Sequence, residues 1–332
     1  MSIIGFDRLL TPKPVLWTYS RGGQGTGEAH VSSRINPYLV SDAPIVLVSS
    51  STNPIGSSLP PVDYGNKPTD GGHLFVDLGD LDKVQAEDVA SQYLRRFVRA
   101  KELLRNLERW CLWLERATHS EIKSSAELRT RTAAVRQMRN ESTKPATRRR
   151  AAIPHLFDER RQPSTSYLAI PEHAGEHRRY FTAARLDSTV ICGNANFMAP
   201  DPDGLVLGIL SSTMFIEWMR AIGGRIKSDL RFSNTFVYNS FPLPTLTDLQ
   251  REALICAATE IIRTRGKYPA WSLAALYEPG DTPTDLLQAH LQVDRVVDMV
   301  FGAHPDMTSD DRQCLLFRWH AAATGQETLE FD

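Results

Sequence analysis

The segment Gly224-Arg225-Ile226-Lys227-Ser228-Asp229-Leu230-Arg231-Phe232-Ser233 alternates between two kinds of side chain. On an extended strand, successive side chains point to opposite faces. One face would then carry Ile226, Ser228, Leu230 and Phe232, and the other would carry Arg225, Lys227, Asp229 and Arg231. The pattern predicts a single β-strand with one face packed on a hydrophobic core and one charged face.

The charged face of this predicted strand has three cations and one acid at a spacing of about 7 Å. A surface that reads DNA needs such groups, because cations bind phosphates and guanine while a carboxylate accepts from the cytosine amino group. The alternative is a solvated strand face with an internal ion pair, and the alternation alone fits both interpretations.

Four segments resemble the single-chain type II restriction–modification enzymes of the MmeI-like (type IIL) family. They are residues 109–114, 176–180, 224–233 and 237–242. Members of that family carry a nuclease, an adenine-N6 methyltransferase, a target-recognition domain and C-terminal helices. The resemblance implies that this chain corresponds to the last two parts, binds double-stranded DNA and has no catalytic site of its own. S-adenosylmethionine would bind the associated methyltransferase domain or subunit, and no cofactor would bind this chain.

The same resemblance divides the chain into three parts. Residues 1–20 would be the closing strand and tail of a methyltransferase domain that is otherwise absent, since the apolar strand at residues 1–6 needs a sheet from elsewhere. Residues 21–243 would form the target-recognition domain, and residues 244–332 a C-terminal helical domain. The expected fold class is α+β, with short antiparallel strands in a mixed α/β recognition domain and an all-helical domain after it.

The resemblance also assigns base-reading residues. In the family, the residues at the positions of Lys227 and Asp229 vary together with one recognised base, and a Lys/Asp combination implies guanine where a Glu/Arg combination implies cytosine. Lysine donates to guanine O6 and N7, and aspartate accepts from N4 of the paired cytosine, so the two residues suit one G·C pair. Determinants of a neighbouring position would be Arg231 and the turn Asn194-Ala195-Asn196.

A second basic feature is the helix predicted at residues 124–140, which begins with the capping box Ser124-Ser125-Ala126-Glu127. Between Leu128 and Arg150, the helix and its extension carry eight cations against the single acid Glu141. Crowded like charges favour a polyanionic partner, although a solvated surface is the alternative. The expected DNA-backbone contacts are Arg129, Arg131, Arg136, Arg139, Arg148, Arg149 and Arg150, with Arg178, Arg179 and Arg225 in the same role.

Hydrophobic periodicity predicts the remaining elements. Helices are expected at residues 86–104, 205–222, 246–265, 273–277, 284–301 and 309–323. Short strands are expected at residues 45–48, 110–114, 166–170, 178–183, 190–192, 197–199 and 235–238.

The overall composition restricts the classes of protein. The 332 residues are 42% hydrophobic and 23% charged, which is typical of globular domains, and the net charge of −1 confines any DNA binding to local patches. The four cysteines are far apart, so they indicate reduced thiols rather than a disulfide framework or a zinc site. No signal peptide or membrane span is recognisable, and a cytoplasmic location is expected.

Three motif-like segments do not indicate catalysis. The glycine-rich residues 21–27 lack the lysine of a phosphate loop and predict a plain loop. His173-Ala174-Gly175-Glu176-His177 matches the HxxEH spelling, but Pro171 and Gly175 oppose the helix that a metal site would need. The triplet at residues 121–123 lacks an upstream acidic partner for a nuclease.

The leading hypothesis is therefore a sequence-specific DNA-recognition module of a type II restriction–modification adenine-N6 methyltransferase. An alternative is a separate specificity or interaction subunit of a multi-protein DNA-modification or phage-defence complex. A self-sufficient nuclease has no supporting residues, and a protein scaffold built on the C-terminal helices is compatible with the leading hypothesis.

Overall fold

The computed structural model describes residues 13–19, 27–304 and 306–326. The strand expected at residues 1–6 and most of the loop at residues 21–27 lie outside the described residues. Short strands and helices occur together up to Arg231, and the described chain after that residue is helical, which confirms the α+β fold class. Among the described residues, no helix is both long and apolar enough to cross a membrane.

The strands of the described ranges are β1 Val15–Thr18, β2 Glu28–Val31, β3 Asp63–Tyr64, β4 Phe75–Val76, β5 Leu94–Val98, β6 Trp110–Leu112, β7 Tyr167–Pro171, β8 His173–Ala174, β9 Ala184–Leu186, β10 Ile191–Cys192, β11 Asn196–Pro200, β12 Arg225–Ile226 and β13 Asp229–Arg231. The helices are α1 Leu78–Gln85, α2 Asp88–Ser91, α3 Ala100–Arg105, α4 His119–Ser124, α5 Ala126–Asn140, α6 Pro145–Arg149, α7 Leu205–Leu210, α8 Thr213–Ile222, α9 Asp248–Arg265, α10 Leu273–Leu276, α11 Thr284–Phe301 and α12 Ser309–Thr324.

The largest hydrophobic core joins a sheet to the C-terminal helices. The sheet has the strand order β3-β11-β7-β9, and all its neighbours are antiparallel. Trp218 of α8 packs against Phe317 of α12 with ring centroids 5.3 Å apart, and Phe241 packs against Phe301 of α11 at 5.7 Å. Burial of these large rings stabilises the recognition part and the C-terminal helices as one packed unit.

A second core forms around the sheet β10-β5-β6-β4. Helix α5 packs on it through the buried Leu128 and Val135. The ring of Phe157 lies edge-on to the rings of Phe97 and Trp113, at centroid distances of 6.3 and 5.0 Å. This core holds the arginine-bearing helix in place.

Helix termini in the structure follow the capping residues. Ser125 caps α5 by accepting from the backbone N–H of Leu128 at 3.0 Å, one residue later than predicted. Thr308 caps α12 and forms a reciprocal capping box with Asp311. The four C-terminal helices are confirmed to within about two residues at each end.

The helix predicted at residues 86–104 is wrong. Residues 88–91 and 100–105 are short helices, but β5 lies between them and pairs with β6 and β10. Phe97 is buried because its strand lies inside a sheet. Apolar spacing of three to four residues favours a helix, and the strand pairing of residues 94–98 overrides that local pattern.

Three further predictions are wrong for local reasons. Residues 178–183 form no strand, and β9 begins at Ala184. Residues 234–238 form a helical turn, because Ser233 accepts from the N–H of Phe236 at 3.2 Å. The helix predicted at residues 205–222 divides in two, because Ser212 caps α8 through the N–H of Phe215.

Candidate nucleic-acid interface

The charged segment at residues 224–233 folds as a hairpin, so the prediction of one continuous strand is wrong. Arg225 pairs with Leu230 and Ile226 with Asp229, which leaves Lys227 and Ser228 as the two-residue turn. Lys227 has a φ of 55°, the left-handed conformation that such tight turns require.

The predicted alternation of buried and exposed side chains holds only along β13 and the residue that follows it. Leu230 and Phe232 are buried, while Asp229 and Arg231 are exposed. Ile226, expected in the core, is 46% exposed, because its strand is the outer edge of the sheet. Lys227 therefore lies at the tip of a ribbon with Asp229 at the base of that tip, and a two-stranded ribbon of this kind fits the major groove of B-DNA.

A third strand supports the hairpin from the opposite edge. Leu230 pairs with Ala174 and Arg231 with His173 in an antiparallel register. Directly opposite residues of antiparallel strands point to the same face, so His173 and Arg231 share the exposed face. Both Nε and Nη2 of Arg231 donate to Oε1 of Glu172, at 3.1 and 3.0 Å.

Sequence reasoning missed Glu172 and His173 as members of this surface. The only signal for His173 was the HxxEH spelling, which indicates a metal site rather than a DNA-binding surface, and Glu172 lies outside that motif. His173 lies in a strand, and His177 contacts Glu176 at 2.6 Å. In the described part of the chain, no cluster of three or more histidine, cysteine, aspartate or glutamate side chains could hold a metal.

The turn before β11 lies at the same end of the molecule. Asn196 pairs with Pro171, and the chain runs directly from Pro171 to Glu172 and His173 beside the hairpin. Asn194 is exposed and Ala195 is half-buried. The register thus places the Asn194-Ala195 turn next to the surface that carries Arg231.

Asn196 does not share that exposure, which corrects its assignment as a base-reading residue. It is fully buried, and its Nδ2 donates to the carbonyl of Val98 at 3.4 Å. Its backbone N–H donates to the carbonyl of Gly193 at 3.0 Å. Asn196 is a structural residue that closes the turn.

Arg139 of α5 must also be removed from the expected phosphate contacts. Its side chain is fully buried, and its five N–H groups donate to backbone carbonyls at 2.8–3.1 Å. The acceptors belong to Pro68, Thr69, Arg150, Ile153 and Leu156. Burial lowers the pKa of this guanidinium, and its role is to hold two loops against the helix.

The guanidinium of Arg131 also binds other groups of the protein. It pairs with Glu127 and Asp80, both at 3.1 Å, and donates to the carbonyls of His73 and Phe75. Only 14% of its side chain is exposed. Its assignment as a backbone contact is therefore wrong in this structure.

The other arginines of this region stay at the surface. Arg129, Arg136 and Arg149 are exposed. Arg148 is exposed while it donates to the carbonyls of Ser142 and Thr143. Arg150 pairs with Asp158 at 2.9 Å and retains 46% exposure of its side chain.

The three arginines expected near the hairpin differ in accessibility. Arg178 is half-buried and donates to Oγ1 of Thr182 at 2.9 Å, and burial lowers the pKa of its guanidinium. Arg179 is exposed and lies over the ring of Tyr180 at 5.4 Å. Arg225 is exposed and donates to the carbonyl of Arg220 at 3.1 Å.

Comparisons with known proteins cover nearly the whole chain. A family profile described as the MmeI target recognition domain matches residues 42–245, and one described as the MmeI C-terminal domain matches residues 246–326. DNA methyltransferase A of Bacillus subtilis (strain 168) is 30% identical over 293 residues, which make up 88% of this chain and 33% of that protein.

A solved structure agrees with the profiles. The type IIL restriction–modification enzyme MmeI, in complex with DNA, superimposes with a TM-score of 0.84 at 37% identity. The match covers 95% of this chain and 42% of the MmeI chain, so this chain spans less than half the length of the relatives it matches. These matches confirm the resemblance noted at residues 224–233, and the chain belongs to the MmeI family, of which it carries the target recognition domain and the C-terminal domain.

Proposed function

We propose that this chain is the module that reads a specific double-stranded DNA sequence for an adenine-N6 methyltransferase of a type II restriction–modification system. The observation that carries the proposal is the three-stranded sheet β12-β13-β8, whose exposed face presents Asp229 and Arg231 beneath a tip formed by Lys227. Cations and one carboxylate in this arrangement can bind base edges in the major groove. The similar MmeI structure is a complex with DNA, which supports the same conclusion.

Lys227 and Asp229 read one G·C pair in this proposal. The hairpin projects both side chains from one end of a ribbon, so both reach neighbouring atoms of the same base pair. The lysine ammonium donates to guanine O6 and N7, and the aspartate accepts from N4 of the paired cytosine. Arg231, with the turn at Asn194 and Ala195, reads an adjacent position.

The exposed arginines of α5 and α6 supply contacts that do not depend on sequence. Removing one phosphate-binding cation should flatten the slope of log K against log salt by about 0.9. Replacing Arg129, Arg136 and Arg149 together by glutamine should therefore weaken binding to every duplex alike. A salt slope equal to that of the wild type would show that this helix faces something other than DNA.

The methyltransferase is the proposed partner, and S-adenosylmethionine binds there rather than in this chain. In that arrangement the protein acts in the cytoplasm, where its DNA lies. The division at residues 20 and 243 belongs to the same proposal, and the profile boundary between residues 245 and 246 supports its second border.

The hairpin β1–β2 supports a protein partner. Its register places Val15 opposite Val31 and Trp17 opposite Ala29, and Tyr19 follows directly after the first strand. Trp17 is 54% and Tyr19 63% exposed. An isolated two-stranded hairpin is marginally stable in water, so an apolar face of this kind favours packing on another domain. We assign the methyltransferase portion as its occupant, because two thirds of the Bacillus subtilis relative lies outside the matched region.

Selection from a randomised duplex pool tests the recognition function. The chain is incubated with the pool, and bound DNA is recovered and sequenced over several rounds. The proposal predicts enrichment of one motif with an invariant G at one position. Recovery of unselected sequence would contradict it.

A further inference from the structure

A polar cleft of about 570 Å³ lies between the recognition part and the C-terminal helices. His177 and Arg179 line one side, and Asp294 and Arg295 of α11 line the other. His177 also lines a recess of about 420 Å³ that contains Ser228 and Asp229 of the hairpin. The cleft therefore adjoins the proposed base-reading surface through His177.

The carboxylates of this cleft are already engaged within the protein. Asp294 accepts from the hydroxyls of Tyr180 and Thr213, both at 2.8 Å. Glu217 pairs with Arg220 and accepts from Gln313, and Asp298 forms an ion pair with Arg312. Glu217 and Asp298 are thus neutralised by arginines of the protein, and Asp294 is held by hydrogen bonds.

Two arginines remain as exposed cations at the cleft. Arg179 lies over the ring of Tyr180, and Arg295 donates to Oε1 of Gln292 at 3.1 Å. Within the described residues, neither forms an ion pair with a carboxylate. They lie on two different parts of the fold, so the cleft presents positive charge from both parts to anything that enters it.

The geometry of B-DNA indicates which part of a bound duplex would lie at this cleft. The major groove is about 12 Å wide, so a ribbon seated in it has phosphates close on either side. Half to two thirds of protein–DNA hydrogen bonds go to phosphate and sugar. A surface adjoining the hairpin is where the flanking backbone must pass.

We propose that this cleft binds the phosphate backbone of the duplex that flanks the recognised sequence, through Arg179 and Arg295. The C-terminal helices then contribute directly to DNA binding, in addition to packing on the recognition part. This inference rests on the proposed function, because it requires the hairpin to hold the duplex.

The test combines two substitutions with two duplexes. Arg179→Gln/Arg295→Gln and the wild-type full chain are titrated with a duplex carrying the selected motif and long flanks, and with one truncated on either side, at 50–200 mM salt. The single variant Arg295→Gln leaves the contact between Arg179 and Tyr180 intact, so it tests the cleft even if the double variant fails to fold. The matched control is Arg263→Gln on α9, an exposed arginine that pairs with Glu260 and does not line the cleft.

The expected result is a salt slope lower by about 0.9 for the single variant and about twice that for the double variant, with no change for the control. Truncating one flank should weaken wild-type binding, and the double variant should be insensitive to that truncation. If wild type selects the motif but the variants keep its salt slope and its flank dependence, this inference fails alone. If the wild type selects no motif, the proposed function fails and the inference fails with it.

Discussion

The guanidinium of Arg139 donates to the carbonyl of Leu156 at 2.8 Å, seventeen residues further along the chain. Four more hydrogen bonds to other carbonyls complete its set of donors. A buried guanidinium with all of its N–H groups satisfied cross-links the segments at residues 68–69 and 150–156 to α5.

Replacing Arg139 by methionine should destabilise the protein. The substitution removes five hydrogen bonds from a buried site, at a cost of about 2–4 kcal/mol, although the carbonyls of Pro68, Arg150 and Ile153 keep backbone N–H donors. Urea unfolding followed by circular dichroism measures the shift of the midpoint. Arg136→Met on the same helix is the matched control, because its side chain is exposed, and it should change the midpoint little. Equal midpoints for both variants would contradict this role of Arg139.

Gly65 approaches the recognition turn closely. A Cβ at this position would overlap the carbonyl oxygen of Gly193 and lie 3.0 Å from the backbone nitrogen of Asn194. Gly65→Ala should therefore displace the turn and destabilise the fold by about 1–3 kcal/mol.

Gly79 of α1 is the control for this substitution. A Cβ there meets nothing within 4 Å, so Gly79→Ala should raise the stability by up to about 1 kcal/mol. Thermal denaturation should thus shift in opposite directions for the two variants. Shifts of the same sign and size would show that the close approach at Gly65 has no consequence.

His320 should make stability depend on pH. It is buried in the core beside Trp218, with ring centroids 5.5 Å apart, and burial lowers its pKa to about 4. The unfolded chain binds a proton near pH 6.5 and the folded chain does not, so stability is present above pH 6.5 and is lost as the pH falls towards 4.

His320→Phe should flatten this dependence by up to about 1.4 kcal/mol per pH unit between pH 6 and pH 4.5. The free energy of unfolding is measured at several pH values for wild type, for His320→Phe and for the exposed control His304→Gln. Buried acids such as Asp294, whose pKa burial raises, affect all three proteins alike and cancel in the comparison. Parallel curves for wild type and His320→Phe would refute the prediction.

Trp17 should mark the contact with the methyltransferase portion. Trp17→Ser removes the largest ring from the apolar face of the β1–β2 hairpin and should reduce binding to a separately expressed methyltransferase portion by at least tenfold. Thr18→Ser is the control, because Thr18 lies on the opposite face and contacts His30. Calorimetric titration measures both, and unchanged affinity for Trp17→Ser would reject this face as the contact.

Capping residues and apolar spacing predicted the helices whose ends depend on neighbouring residues of the chain. The predicted capping box at Ser124 located the start of α5 to within one residue, and apolar spacing located α11 and α12. The hairpin was missed because Lys227 and Ser228 are not typical turn residues, and only the pairing of both strands forces Lys227 to a positive φ.

Most of the predicted surface residues are exposed, and the exceptions are residues whose side chains are buried by tertiary contacts. Nothing in the spacing along α5 separates Arg139 from Arg136, since burial of Arg139 depends on loops at residues 68–69 and 150–156. Glu172 was missed for the same reason. Its contact with Arg231 forms only when β8 pairs with β13.

Lys227 and Asp229 together specify one base pair in the proposed mode of recognition. Their double substitution, Lys227→Glu with Asp229→Arg, keeps both positions charged while exchanging donor and acceptor. The cost of a positive φ at position 227 is similar for lysine and glutamate, so the hairpin should persist.

Duplex selection with the double variant, joined to its methyltransferase partner, is the decisive measurement for this pair. We expect G to change to C at one position of the selected motif while the other positions stay the same. Discrimination should be about ten- to hundredfold, as expected for 1–3 kcal/mol per good contact. An unchanged motif would show that the two residues are solvated surface residues that contact no base, and base recognition by the hairpin tip would be refuted.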